Sequence, residues 1–231
     1  RAGVLTIPFF ASMLLAALIA VRSSGARGVV MDALSLVANL VVGIGVLLLA
    51  EREFSGEPIC GANDNASGVA VNIAAARALV ERSFGTLEVI LVFTGAGEVN
   101  ASGMQSLIRD HPELVAGETY MVNLDSVGRS PFKVSFAEGP VISRPVSPEL
   151  VCLALRAAQN AGIELTPDRI RFTSDIYPAL VRGAKATTIF GEEADFVRRS
   201  PKDRPENIDE RSLIDVVRLV CGIARLLERE G

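Results

Sequence analysis

The chain has 231 residues, 49% of them apolar, and a formal charge of -4, which suits one globular domain joined to an unusually apolar segment. Its 23 basic and 27 acidic residues are interspersed, and two Tyr with no Trp leave little for base stacking, so no nucleic acid is expected as a partner. Three widely spaced cysteines, Cys60, Cys152 and Cys221, and a single histidine, His111, exclude a zinc knuckle, a disulfide framework and a site built here from two or three imidazoles.

In chain order, Val4 to Val21 is a run of eighteen residues without a charge, long enough to cross a bilayer core of roughly 30 Å at about 1.5 Å per residue. A polar turn with Arg22 and Arg27 follows. A second apolar run, Val29 to Ala50, is interrupted chiefly by Asp32 and Asn39 and ends at Glu51, Arg52 and Glu53. Residues 1–53 therefore read as a transmembrane helical hairpin, with spans at about 4–21 and 29–50, integral in a lipid bilayer. A signal peptide would have a shorter apolar core and a cleavage site in place of a second span. The turn carries Arg22 and Arg27 while the other side carries Arg1 and Arg52, which leaves the orientation open. The chain opens at Arg1 rather than Met, so further sequence is expected upstream.

Residues 54–231 alternate apolar runs with helical spacing. Leu87 to Phe93, Tyr120 to Leu124 and Ala186 to Phe190 are short apolar runs of the kind buried on both faces of a sheet. Gly68 to Phe84, Pro148 to Ala161 and Glu210 to Glu228 carry apolar residues three and four apart, the last after Asp209 as N-cap. The predicted fold class is α/β, a three-layer sandwich with a mostly parallel central sheet. Acids stand where such folds place their chemistry: Glu98 after the first apolar run, Asp125 closing the second, and Asp64 at the head of a helix in GANDNASG. Taken singly they read as a loop residue, a turn former and a cap. Arriving together they form a candidate hard-metal site.

Gly61 to Gly68 resembles the metal-bridging aspartate motif of the co-catalytic di-zinc aminopeptidases, the family of bacterial leucyl aminopeptidases, aminopeptidase Y and glutamate carboxypeptidase. Phe93 to Glu98, Asn123 to Gly128, Thr173 to Asp175 and Ser200 to Asp209 resemble four further motifs of that family in the same order. The resemblance implies that Asp64 bridges two zinc ions, that the peptide bond between Asp64 and Asn65 is cis, that Glu98 and Asp125 each bind one ion, and that Ser174 and Asp175 line the substrate site. It also implies peptide or protein N-termini as substrates and a bacterial cell membrane as the location.

Two positions depart from the pattern. The family's general base falls at Gly97, which has no side chain to take a proton, and its last histidine ligand falls at Arg199, whose guanidinium stays protonated and has no lone pair to give. Its first histidine lies ahead of the bridging aspartate, where this chain has the apolar hairpin, which places that strand upstream of Arg1. Converging carboxylates about 4 Å apart repel by about 4 kcal/mol at an effective dielectric of 20, so a cation belongs among them. An oxygen-only set leans toward Mg, Mn or Ca, and Arg199 is the alternative that replaces the metal by bidentate pairing. These departures point to a membrane-associated exopeptidase homologue, weak or inactive in hydrolysis. The alternative is an active metallo-aminopeptidase completed by an upstream histidine and a non-standard base, with Glu98, Asp203 or Glu193 in that role. His111 and the Glu192-Glu193 pair otherwise read as loop residues.

Overall fold

The computed structural model describes residues 2–25, 28–55, 59–81, 84–191 and 200–230. The chain divides into two compact units, Arg1–Pro58 and Ile59–Gly231.

The first unit holds α1 (Ala2–Ser23) and α2 (Val29–Ser55), which contact each other. Arg22 and Asp32 pair where the chain turns between them. Within α2, Val29–Glu51 is 23 residues of mean hydropathy 2.5, long and apolar enough to cross a membrane. The side chains of α1 are described from Phe10 onward, over the shorter apolar stretch Phe10–Ser23.

The second unit is mixed α/β. Strands β1 (Tyr120–Asp125), β2 (Phe132–Glu138), β3 (Arg144–Pro145), β4 (Leu165–Ile170) and β5 (Lys185–Gly191) form one sheet in the order β1-β5-β2-β3, with β4 also pairing β2. β1 runs parallel to β5 and β4 parallel to β2, while β2 is antiparallel to both β5 and β3. The described pairings are thus evenly mixed, and a mostly parallel sheet is not established by them.

Side-chain alternation splits the core between the two faces. Leu124 of β1 and Ile189 of β5 pack in one cluster with Val71 of α3 (Gly68–Val80), Leu150, Leu153 and Ala154 of α5 (Pro148–Ala161), and Val216, Leu219 and Ile223 of α7 (Glu210–Glu230). Met121 of β1 and Ala186 of β5 face the other way, against Met104 and Ile108 of α4 (Ser102–Asp110) and Ala179 and Leu180 of α6 (Tyr177–Val181). Helices therefore cover both faces, as expected of an α/β domain.

The run from Leu87 to Phe93, expected as a buried strand, pairs with no strand among the described residues. Ile90 is 57% exposed and Phe93 53%. Apolar content favours a strand only where a neighbouring strand supplies hydrogen bonds and cover, and none of the described strands is hydrogen-bonded to it.

Candidate functional site

Two distant motifs are joined into one wall of a cavity. Residues Ala62–Ser67 form an irregular turn with a cis peptide between Asp64 and Asn65, the bond that the resemblance implies. Asn63 Oδ1 accepts from the Gly128 amide at 2.7 Å, and Asn65 Nδ2 donates to the Leu124 carbonyl at 2.7 Å while its Oδ1 accepts from the Ser126 amide at 3.1 Å. Ser67 Oγ donates to the Asn63 carbonyl at 2.7 Å and accepts from the Val127 amide at 3.1 Å. Gly128 is required by this closeness, since a Cβ there would stand 2.7 Å from Asn63 Oδ1.

The amides of Asn63 and Asp64 donate to the two carboxylate oxygens of Asp203, at 2.6 and 3.1 Å, and Asp203 is 1% exposed. Asp203 is thereby an anchor for the Asp64 turn, with both oxygens engaged, and not a spare base. Leaving a buried amide without its acceptor costs about 1–3 kcal/mol, so this anchor holds the turn firmly.

The opposite wall comes from two loops. After the 87–93 run, Ala96, Asn100 and Ala101 have φ of 54°, 55° and 51°, and the Ala101 amide donates to the Gly97 carbonyl at 2.9 Å, closing a tight turn around Glu98. Between β4 and α6, Asp175 Oδ2 accepts from Thr94 Oγ1 at 2.6 Å, tying this loop to the first. Behind it, Ser174 Oγ donates to Glu138 Oε2, and Ser135 Oγ donates to Glu138 Oε1 at 2.6 Å. Glu138 is fully buried, and burial holds its carboxyl above the usual range against the opposing hydrogen bonds of Ser135, Ser174 and Thr188, with the Asp125 charge adding to the rise.

Asp64, Glu98, Asp125, Ser174 and Asp175 line this one cavity of about 290 Å³, together with Gly97. Five expected side chains from four separate motifs are thus brought together. Arg199, Glu192 and Glu193 lie outside the described residues. At Gly97, an added Cβ would stand 2.9 Å from Asp175 Oδ1, so the Asp175 carboxylate occupies the space a side chain at position 97 would enter.

Lining a cavity is weaker than ligating an ion. A zinc shell needs every donor atom within about 2.0–2.3 Å of a single point, and among the described residues no three His, Cys, Asp or Glu side chains form such a group. The described donor set therefore does not by itself fit a metal, and no chemical step is derived through one.

The sequence pattern of peptidase family M28 matches residues 42–224. The chain belongs to peptidase family M28. Among solved structures, BSAP, a zinc aminopeptidase from Bacillus subtilis, is similar at 23% identity and TM-score 0.59, over 72% of this chain and 42% of that one. The aminopeptidase from Aneurinibacillus sp. strain AM-1 is similar at 21% identity and TM-score 0.57, over 72% and 39% of the two chains. A glutaminyl cyclase from an Acidobacteriales bacterium matches at 17% identity and TM-score 0.55, over 74% and 63%. At these identities the likeness concerns the fold. No match was found among the curated proteins. This M28 chain spans less than half the length of the Bacillus enzyme.

Sequence reasoning passed over Glu138, Thr94 and the anchoring role of Asp203. A charged residue ending the apolar-alternating stretch FKVSFAE was the available signal for Glu138, and the spacing of Asp203 after Ser200-Pro201 for the other.

Proposed function

We propose that this M28 chain is a membrane-associated exopeptidase homologue whose cleft holds the N-terminal end of a peptide or protein and hydrolyses it weakly or not at all. The observation that carries the reading is at Gly97: no side chain stands there, and the space is taken by Asp175. Loss of a positioned base lowers the rate by about a hundred- to ten-thousandfold. Arg199 supports the same reading, because a guanidinium in place of an imidazole can neutralise carboxylates but cannot coordinate an ion. On this reading Asp64, Glu98 and Asp125 are the inherited metal positions, and α1 and α2 form a hairpin across the bilayer.

The test is hydrolysis of aminoacyl and peptide substrates by the intact protein with added zinc or manganese, beside a Gly97→Glu, Arg199→His double variant and with metal content measured. Turnover confined to the variant supports the reading. Vigorous turnover and two tightly held zinc ions in the starting protein overturn it in favour of an active metallo-aminopeptidase.

A further inference from the structure

We propose that the face of α2 bearing Asn39 and Gly43 docks a second copy of this chain inside the bilayer, with the two Asn39 amides bonded to each other. This contact rests on the membrane-spanning reading of α1 and α2 above and is independent of what the cleft does. Between Asp32 and Glu51, the polar side chains of α2 are Ser35 and Asn39. Ser35 is 8% exposed, and its hydroxyl donates to the Met31 carbonyl at 2.8 Å, so it is settled within the hairpin. Asn39 is exposed, near the middle of the apolar stretch Val29–Glu51. Its Nδ2 donates to the Ser35 carbonyl at 2.8 Å, which uses one of the two N–H groups of the amide. The second N–H and Oδ1 have no hydrogen-bond partner among the described residues. At the centre of a hydrocarbon layer no water reaches them, so another protein group has to.

Gly43 lies one turn further along. It is exposed, and a Cβ built on it would meet nothing within 4 Å. Glycine inside a helix weakens it relative to alanine, and nothing within the hairpin needs the missing side chain. At about 100° per residue, Asn39 and Gly43 share a strip about a quarter-turn from the side marked by the buried Ser35 and Ala38. Leu36 and Val46, 63% and 57% exposed, complete that strip. A small residue there lets a second helix backbone come close enough for the short asparagine side chain to reach across. The amide itself selects the partner. It holds both a donor and an acceptor, so two identical amides facing across a two-fold axis satisfy each other in both directions, as an isologous contact requires. Lipid chains offer neither group.

The experiment is Förster transfer between copies of the full chain in phosphatidylcholine vesicles, with donor or acceptor maleimide on the exposed Cys60 and Cys152. Transfer that falls as lipid dilutes the protein is expected, and Asn39→Leu is expected to weaken the association about five- to thirtyfold, the range of one hydrogen bond between membrane helices. Gly43→Leu is expected to weaken it similarly. Both substitutions make α2 more apolar, so neither loss can come from failed insertion. Asn39→Gln, which keeps the amide, retains most of the association, and Val37→Ala, on the far side of the helix, leaves it unchanged. A monomer at every dilution, association that either Asn39→Leu or Gly43→Leu leaves at full strength, or an equal loss with Val37→Ala overturns the docking. Alkaline carbonate extraction of the same vesicles separates the two readings: protein retained but monomeric overturns the docking alone, whereas protein released overturns the membrane-spanning reading and the docking with it.

Discussion

Glu138 sits with no exposed surface behind the cavity wall, and its two oxygens accept from Ser135 and Ser174. Burial penalises the charged form, so its carboxyl is held above its ordinary value. A folded-state pKa above the unfolded one means that the contribution to stability is complete below the ordinary glutamate range, near about 4.3, and is lost as pH rises through the folded value. Glu138→Gln cannot ionise. Its melting temperature relative to the starting protein is therefore expected to rise between pH 4 and pH 8, and a difference that stays flat over that range would refute the burial argument. The acids that face the cavity were legible because they stand in motif positions at the ends of apolar runs. Glu138 was not, for a physical reason: a register shift between Ser135 and Ala137 breaks the alternation of β2, so that Glu138 meets Ser135 instead of lying on the face of Phe132 and Val134. Period-two reading cannot anticipate a bulge.

At the scale of elements, α7 shows how much a pattern fixes. Val216, Leu219, Ile223 and Leu226 recur at three and four residues and pack in the main core cluster, as the sequence spacing requires. Asp209 caps the helix, accepting from the Ser212 amide at 3.1 Å, the Ser212 hydroxyl at 2.7 Å and the Arg211 amide at 3.3 Å. The Ser212 hydroxyl is the chief reason its carboxyl lies below the ordinary aspartate range, with the Ser212 and Arg211 amides helping. A depressed folded pKa gives stability that is present above the unfolded value, near about 3.9, and fades as pH falls through the folded one. Asp209→Ala is thus expected to lower the melting temperature at pH 7, with the gap narrowing by pH 2.5; an equal gap at both would mean that the cap works through shape alone. α5, β1 and β5 were equally legible from apolar spacing. β4 was not, since LTPDRI carries Pro167 and two charges, which is tolerable for a strand that needs few ladder bonds but gives no apolar signal. The converse failure is Leu87 to Phe93, where a strong β pattern has no neighbour among the described strands.

For the whole molecule, the division into Arg1–Pro58 and Ile59–Gly231 separates two patterns of apolar residues. In the second unit apolar residues converge on a sheet. In α2 they point outward on the side away from the buried Ser35 and Ala38, with Leu36 63%, Leu40 56%, Ile44 57% and Leu47 69% exposed, and only 17% of its apolar window is buried. An exposed apolar face of this extent needs cover other than water, and a hydrocarbon core would supply it because the helix bonds its own backbone. On the proposed reading the pairing of Arg22 with Asp32 lies at one interface, where both charges reach water. If α2 crosses the bilayer, residue 24 and residue 60 lie on opposite sides. A Ser24→Cys variant supplies a thiol in the turn, while Cys60 and Cys152 are exposed thiols already present beyond α2. In sealed vesicles an impermeant maleimide is expected to label either the turn or the Cys60 and Cys152 pair, and the other set only after detergent is added. Labelling of both sets in intact vesicles would place α2 on the membrane surface or off it, because no spanning helix can expose its two ends to the same compartment.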